Sequence, residues 1–195
     1  LIYLIGTALG GILVAGISMT INPYQLARLL SFLDPWADAQ GDGFQLVQSI
    51  LAIGSGGLWG NGFGLSQQKS GYLPIQDTDF IFSVFAEEFG LIGSILLLVL
   101  VMSYATLGLL IALRSDRLVH RLVAIGATTF IVLQSLLNIV VASGALPTTG
   151  LPLPMFSYGG SSIVASLIQS ALLIRVARES AEAKVIPLRA KQSLG

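Results

Sequence analysis

FGLIGSILLLVLVMSYATLGLLIAL, residues 89–113, contains no charged side chain. An α-helix advances about 1.5 Å per residue, so about 20 apolar residues carry it across the hydrocarbon of a bilayer. Three further stretches read the same way: Leu1 to Ile21, Leu122 to Leu146 and Ser157 to Ile174. Lipid offers no partner to a backbone N–H or C=O, so each is predicted to be helical despite its glycines. The expected fold class is an all-α polytopic membrane protein with four transmembrane helices.

Composition points the same way. The chain is 54% hydrophobic and 10% charged, whereas soluble domains carry about 25% charged residues. Formal net charge is zero, and no nucleic-acid partner is expected. Cysteine is absent, which excludes disulfides, thiol catalysis and thiolate metal sites. His120 is the single histidine and cannot build a histidine-rich metal site alone. The chain opens at Leu1 on apolar sequence, without an initiator methionine or the charged start and cleavage site of a signal peptide. It reads as a piece of a longer protein.

Basic residues set the expected orientation. Arg114, Arg117 and Arg121 lie between the second and third spans, and Arg175, Arg178, Lys184, Arg189 and Lys191 follow the fourth. Lysine and arginine accumulate on the cytoplasmic side. The expected order is therefore span 1–21, extracytoplasmic segment 22–88, span 89–113, cytoplasmic loop 114–121, span 122–146, extracytoplasmic loop 147–156, span 157–174 and cytoplasmic tail 175–195. The polar end of that tail, from Glu179 through Pro187 to Gly195, is expected to extend the helix briefly and then fray.

Segment 22–88 is too long to lack structure of its own. Leu26, Ala27, Leu29, Leu30 and Leu33 recur at helical spacing around Arg28, as in a helix lying in the membrane interface, and Trp36 suits an interfacial anchor. Leu46, Val47, Ile50 and Leu51 predict a second short amphipathic helix. The run GSGGLWGNGFG, residues 54–64, is either a flexible connector or a place where backbone approaches a ligand or another helix closely. It fits no phosphate-loop or dinucleotide pattern.

Carboxylates then gather at the membrane boundary. Asp79 directly precedes Phe80, Ile81 and Phe82; it could cap the helix that starts there. Asp77 and Asp79 also form an aspartate-x-aspartate pattern of the kind that holds a divalent cation, Mg or Mn, against a diphosphate. No other cofactor is implied. Glu87 and Glu88 follow about two turns later, where an acidic side chain has either a function or a basic partner on another helix. The outer loop LPTTGLPLPMFSYGGSS, residues 146–162, holds too many prolines and glycines for a lipid-facing helix. It is either a rigid turn that joins two helices or the wall of a substrate groove.

Together the stretches DPWADAQGDGFQLVQSILAIGSGGLWGNGFGLSQQKSGYLP, TDFIF, AEEFGLIG and LPTTGLPLPMFSYGGSS closely resemble the FtsW/RodA (SEDS) family, across about Arg28 to Arg178. The resemblance implies a fold of about ten transmembrane helices, of which this chain would hold the last four and the large extracytoplasmic loop. It implies a peptidoglycan glycosyltransferase of the bacterial inner membrane that polymerises lipid II. Its partner would be a class B penicillin-binding transpeptidase, alongside other division or elongation membrane proteins. The resemblance implies that the aspartate of TDFIF, Asp79, is catalytic, and that Gln68, Lys69, Thr78, Glu88, Ser161 and Ser162 bind substrate. Relatives commonly have histidine at Asp77, asparagine near Ala142 and, in many division-type members, lysine at Thr149. A lipid II flippase and a non-catalytic scaffold for the transpeptidase are the alternatives. The stretch beginning DPWADAQ favours the division type, FtsW, over the elongation type, RodA.

Overall fold

The computed structural model describes residues 6, 10–11, 23–41, 43–66 and 80–192, with backbone alone at 23–27 and 182–192. The expected span Leu1 to Ile21 lies almost wholly outside the described residues. Five helices follow: α1 Pro23–Leu33, α2 Phe44–Ser55, α3 Ile81–Arg114, α4 Leu118–Ala142 and α5 Gly160–Gln192. Described residues contain no strand. Three stretches, Ile81–Arg114, Leu118–Ala142 and Gly160–Ala181, are long and apolar enough to cross a bilayer. The chain is an all-α polytopic membrane protein.

α3 is two helical segments meeting at Gly90, whose φ of 66° and ψ of −162° lie outside the helical region. From Leu91 to Arg114 the second segment is about 36 Å long, enough to cross the hydrocarbon alone. The first segment, which carries Glu87 and Glu88, is thereby left at the membrane boundary.

A break inside an apolar helix orphans backbone groups, and here the glycine-rich run supplies their partners. In an unbroken helix the carbonyls of Glu87 and Glu88 would accept from the amides of Leu91 and Ile92. Instead Asn61 N–H donates to Glu87 O at 2.9 Å and Gly62 N–H to Glu88 O at 3.1 Å. On the other side of the break, Leu91 N–H donates to Gly57 O at 2.9 Å and Ile92 N–H to Leu58 O at 3.3 Å. Two donors and two acceptors from one loop thus splice the helix.

Such splicing requires backbone against backbone. A Cβ on Gly60 would sit 2.1 Å from Glu88 O, one on Gly90 2.4 Å from Gly60 N, and one on Gly56 2.1 Å from Ala86 O. Of the two readings of residues 54–64, close approach to another helix is the one observed.

α2 packs on the first segment of α3, while α4 lies between α3 and α5. One apolar core joins Phe80, Phe82, Ala86, Leu97, Ala142 and Leu153, and a second joins Ala112, Ala124, Leu173 and Val176. α4 stops at Ala142, short of Leu146, because Gly144 takes a φ of 76°. Gly144 N–H then donates to Val141 O and Ala145 N–H to Val140 O, the paired bonds of a glycine-terminated helix. α5 continues past Ile174 into the polar tail as far as Gln192.

Gly60→Ala is expected to lower stability by about 2 kcal/mol or more, since it adds a left-handed alanine to a backbone overlap. Gly54→Ala, where nothing lies within 4 Å of the new Cβ, should leave the midpoint unchanged or slightly raised. Thermal unfolding of the two variants in detergent checks this difference.

Candidate functional site

The chemistry-bearing side chains gather where α2, the first segment of α3 and the loop after α4 meet. Glu87 is 2% exposed and Glu88 6%, and burying carboxylates at this depth requires partners. Glu87 Oε2 accepts from Ser66 Oγ. Ser66 is itself buried and directly precedes residues 67–79, while Phe80, at the far end of that stretch, is buried in the core. Both flanks of the segment bearing Lys69 and Asp79 are therefore fixed to the same short helical segment.

Behind the carboxylates runs a seam of buried serines. Ser49 Oγ of α2 is hydrogen-bonded to Ser83 Oγ of α3 and also contacts Ala142 O at the end of α4, at 2.6 Å. Small hydroxyls let three helices close on one another and still satisfy their polar groups. The seam joins the middle of α2 to the start of α3 and the end of α4.

The loop 147–156 folds back into the protein. Asn138 Nδ2 donates to Leu151 O at 2.8 Å and Gln134 Nε2 to Pro152 O at 2.9 Å. Gln134 lies eight residues before the end of α4, about 12 Å along its axis, so the loop descends well below the helix end. At its lowest part Leu153 is 2% exposed; its N–H donates to Ser157 Oγ and its carbonyl accepts from the amides of Phe156 and Ser157. Met155 holds a left-handed φ of 65°, a conformation that costs a non-glycine residue energy and persists only when its surroundings impose it. With α3 and α4 the loop lines an apolar cavity of about 150 Å³ touched by Leu97, Tyr104, Ile131 and Phe156. Higher up, Arg28 Nη1 donates to Thr148 O at 3.2 Å and ties the loop to α1.

Of the residues assigned to the site from sequence, Gln68, Lys69, Thr78 and Asp79 lie outside the described residues, as does Asp77. The N-cap position of α3 is taken by Phe80, which makes no side-chain cap hydrogen bond. Glu88 is described and buried, whereas Ser161 is exposed and Ser162 half-buried in the first turn of α5. Among the described residues no hydrogen bond joins Glu88 to either serine, and no three histidine, aspartate or glutamate side chains are grouped to hold a metal.

Ser49 falls on the polar face of α2 by its spacing in sequence yet is fully buried, and Ser66, Gln134 and Asn138 were not singled out from sequence. A signal existed for the last two, because amides four residues apart in an apolar span must find partners within the protein.

A model of the FtsW/RodA/SpoVE family, described as cell cycle protein, matches residues 1–182. A probable peptidoglycan glycosyltransferase FtsW of Synechocystis sp. is 63% identical over 190 residues, covering 97% of this chain and 48% of that protein. Stage V sporulation protein E of Bacillus subtilis is 45% identical, covering 81% and 43%. A solved chain from work on coordination of polymerization and crosslinking by a peptidoglycan synthase complex superposes with a TM-score of 0.70 at 34% identity, covering 91% of this chain and 48% of that one. The chain spans about half the length of the curated relatives it matches.

Asn138→Leu should remove the anchor of Leu151 O and leave that carbonyl unpaired, a loss of about 1–3 kcal/mol. Thermal unfolding of purified protein checks it, with Ser143→Ala, whose hydroxyl is exposed and bonds only within its own turn, as the control that stays near wild type.

Proposed function

Because the chain belongs to the FtsW/RodA/SpoVE family, we propose that the whole protein is a division-type peptidoglycan glycosyltransferase. It polymerises lipid II into glycan strands and releases undecaprenyl diphosphate. It resides in the bacterial cytoplasmic membrane with its C-terminus on the cytoplasmic side, as the basic residues after the fourth span suggest. The observation that carries this reading is the family match over residues 1–182, which includes every motif-bearing stretch.

Asp79 is the general base: it takes the proton from the acceptor sugar 4-hydroxyl as that oxygen attacks the anomeric carbon of the donor. The bond to the diphosphate breaks, and inversion turns an α-linked donor into a β-1,4 glycosidic link. Lys69 supplies compact positive charge for the departing diphosphate. Gln68, Thr78, Glu88, Ser161 and Ser162 contact substrate. Support from the fold is the pinning of Ser66 and Phe80, which brackets the segment carrying Lys69 and Asp79. Asp77, two residues before Asp79, supplies a second carboxylate of the kind that holds a divalent cation against a diphosphate.

A class B penicillin-binding transpeptidase is the proposed partner, a reading supported by the peptidoglycan synthase complex from which the solved relative comes. The elongation-type alternative is set aside, because the 63% identical relative is named FtsW.

Asp79→Asn and Asp79→Ala should each reduce strand formation about 10²- to 10⁴-fold, the contribution of a positioned base. A lipid II polymerisation assay on the full-length protein with its transpeptidase, read by gel, checks this. Undiminished strands from either variant remove Asp79 from the role. Failure of the wild type to make strands, with lipid II translocation intact, supports the flippase alternative, which the broken helix at Gly90 also suits.

A further inference from the structure

The end of α5 that leaves the apolar stretch carries a groove of about 460 Å³ lined by Ala171, Ile174, Arg175, Arg178 and Glu179. These residues repeat at three and four positions and share one helix face. Ala171 and Ile174 form its apolar part; two guanidiniums and one carboxylate form the rest.

The carboxylate is already engaged on both oxygens. Glu179 Oε1 accepts from Arg175 Nε at 2.9 Å, and Oε2 pairs with His120 Nε2 of α4 at 3.1 Å. Arg175 remains 78% exposed, and a guanidinium has five N–H donors, most of them still available. Arg178 makes no ion pair or hydrogen bond among the described residues and faces the same groove. Among the described residues that line it, two guanidiniums against one carboxylate leave a net positive charge beside an apolar wall.

That combination occurs at the level where a transmembrane helix leaves the hydrocarbon, since the charge-free stretch of α5 ends at Ile174 and Arg175 follows it directly. Phospholipids present the matching pair of features there: an acyl chain on the bilayer side and a phosphate that a guanidinium fork grips in two places. A headgroup with net negative charge complements the groove, whereas a choline ammonium would meet the same guanidiniums with repulsion.

We propose that this face of α5 is a binding site for one anionic phospholipid, with Arg178 as the principal phosphate ligand and Arg175 as its neighbour. The proposal is independent of the catalytic reading, because every residue in it lies on α5 or at the start of α4.

The test uses full-length protein in neutral detergent titrated with phosphatidylglycerol, with bound lipid counted by native mass spectrometry. Arg178→Gln should weaken binding about fivefold, the effect of one basic residue at a membrane surface, and Arg178→Glu more. Arg117→Gln makes the same charge change at the same end of the bundle, outside the groove, and should leave affinity within twofold of wild type. Melting temperatures of the lipid-free variants matching wild type show that the fold is intact; if Arg178→Glu melts early, Arg178→Gln alone decides. Equal affinity in Arg178→Gln and wild type overturns the site. So does equal weakening by Arg117→Gln, which would indicate only a general positive field. Phosphatidylcholine binding as tightly would reduce the groove to an apolar surface, and displacement by equimolar glycerol phosphate would make it a free-phosphate site; either result overturns the lipid assignment.

Discussion

Four backbone hydrogen bonds across the break at Gly90 hold together the end of the bundle formed by α2, the start of α3 and the end of α4. Without them, two carbonyls and two amides would be stranded at the membrane boundary, each at a cost of about 1–3 kcal/mol. Because residues 57–62 meet that need, α3 can stop and restart, and its first segment can lie at the boundary instead of continuing through lipid. The burial of Glu87 and Glu88, the contact between Glu87 and Ser66, and the packing of Phe80 all follow from where that segment is held. Glycine is required at 60 and 90 because the two backbones occupy the space a Cβ would fill.

The same constraint, that no backbone group can be left to lipid, shapes the loop after α4. Three prolines remove amide donors from residues 147–156, and the remaining carbonyls at Leu151 and Pro152 are met by side-chain amides projecting from α4. Irregular backbone at depth is thus confined to places where protein covers it. The two non-helical segments, one before α3 and one after α4, converge on the same end of the bundle, joined through the Ser49, Ser83 and Ala142 seam. Many apolar side chains on α3, α4 and α5 remain exposed, as befits a chain that spans about half the length of its relatives and sits in lipid.

Much of the architecture was legible in the sequence because charge-free length is a direct consequence of bilayer thickness. Helix ends were less so: α4 stops at Ala142 because of a left-handed glycine two residues later, and a hydropathy run carries no information about that dihedral. The run of glycines before Ser66 admitted two readings, and the choice depends on partners about 30 residues further along the chain. Gln134 and Asn138 announced a need for hydrogen bonds, yet nothing local names Pro152 and Leu151 as the acceptors. At the candidate site, the motif that carries Asp79 was read by resemblance, whereas the fixing of its flanks by Glu87 and the core appears only in three dimensions.

The most direct measurement is an experimental structure of the full-length protein with undecaprenyl diphosphate bound. The diphosphate is predicted to lie within hydrogen-bonding reach of Lys69, at the mouth between Ser66 and Phe80, with the Asp79 carboxylate facing the space an acceptor sugar would occupy. A diphosphate bound elsewhere in the bundle, out of reach of both Lys69 and Asp79, would contradict the assignment of this end of α3 as the centre of glycosyl transfer.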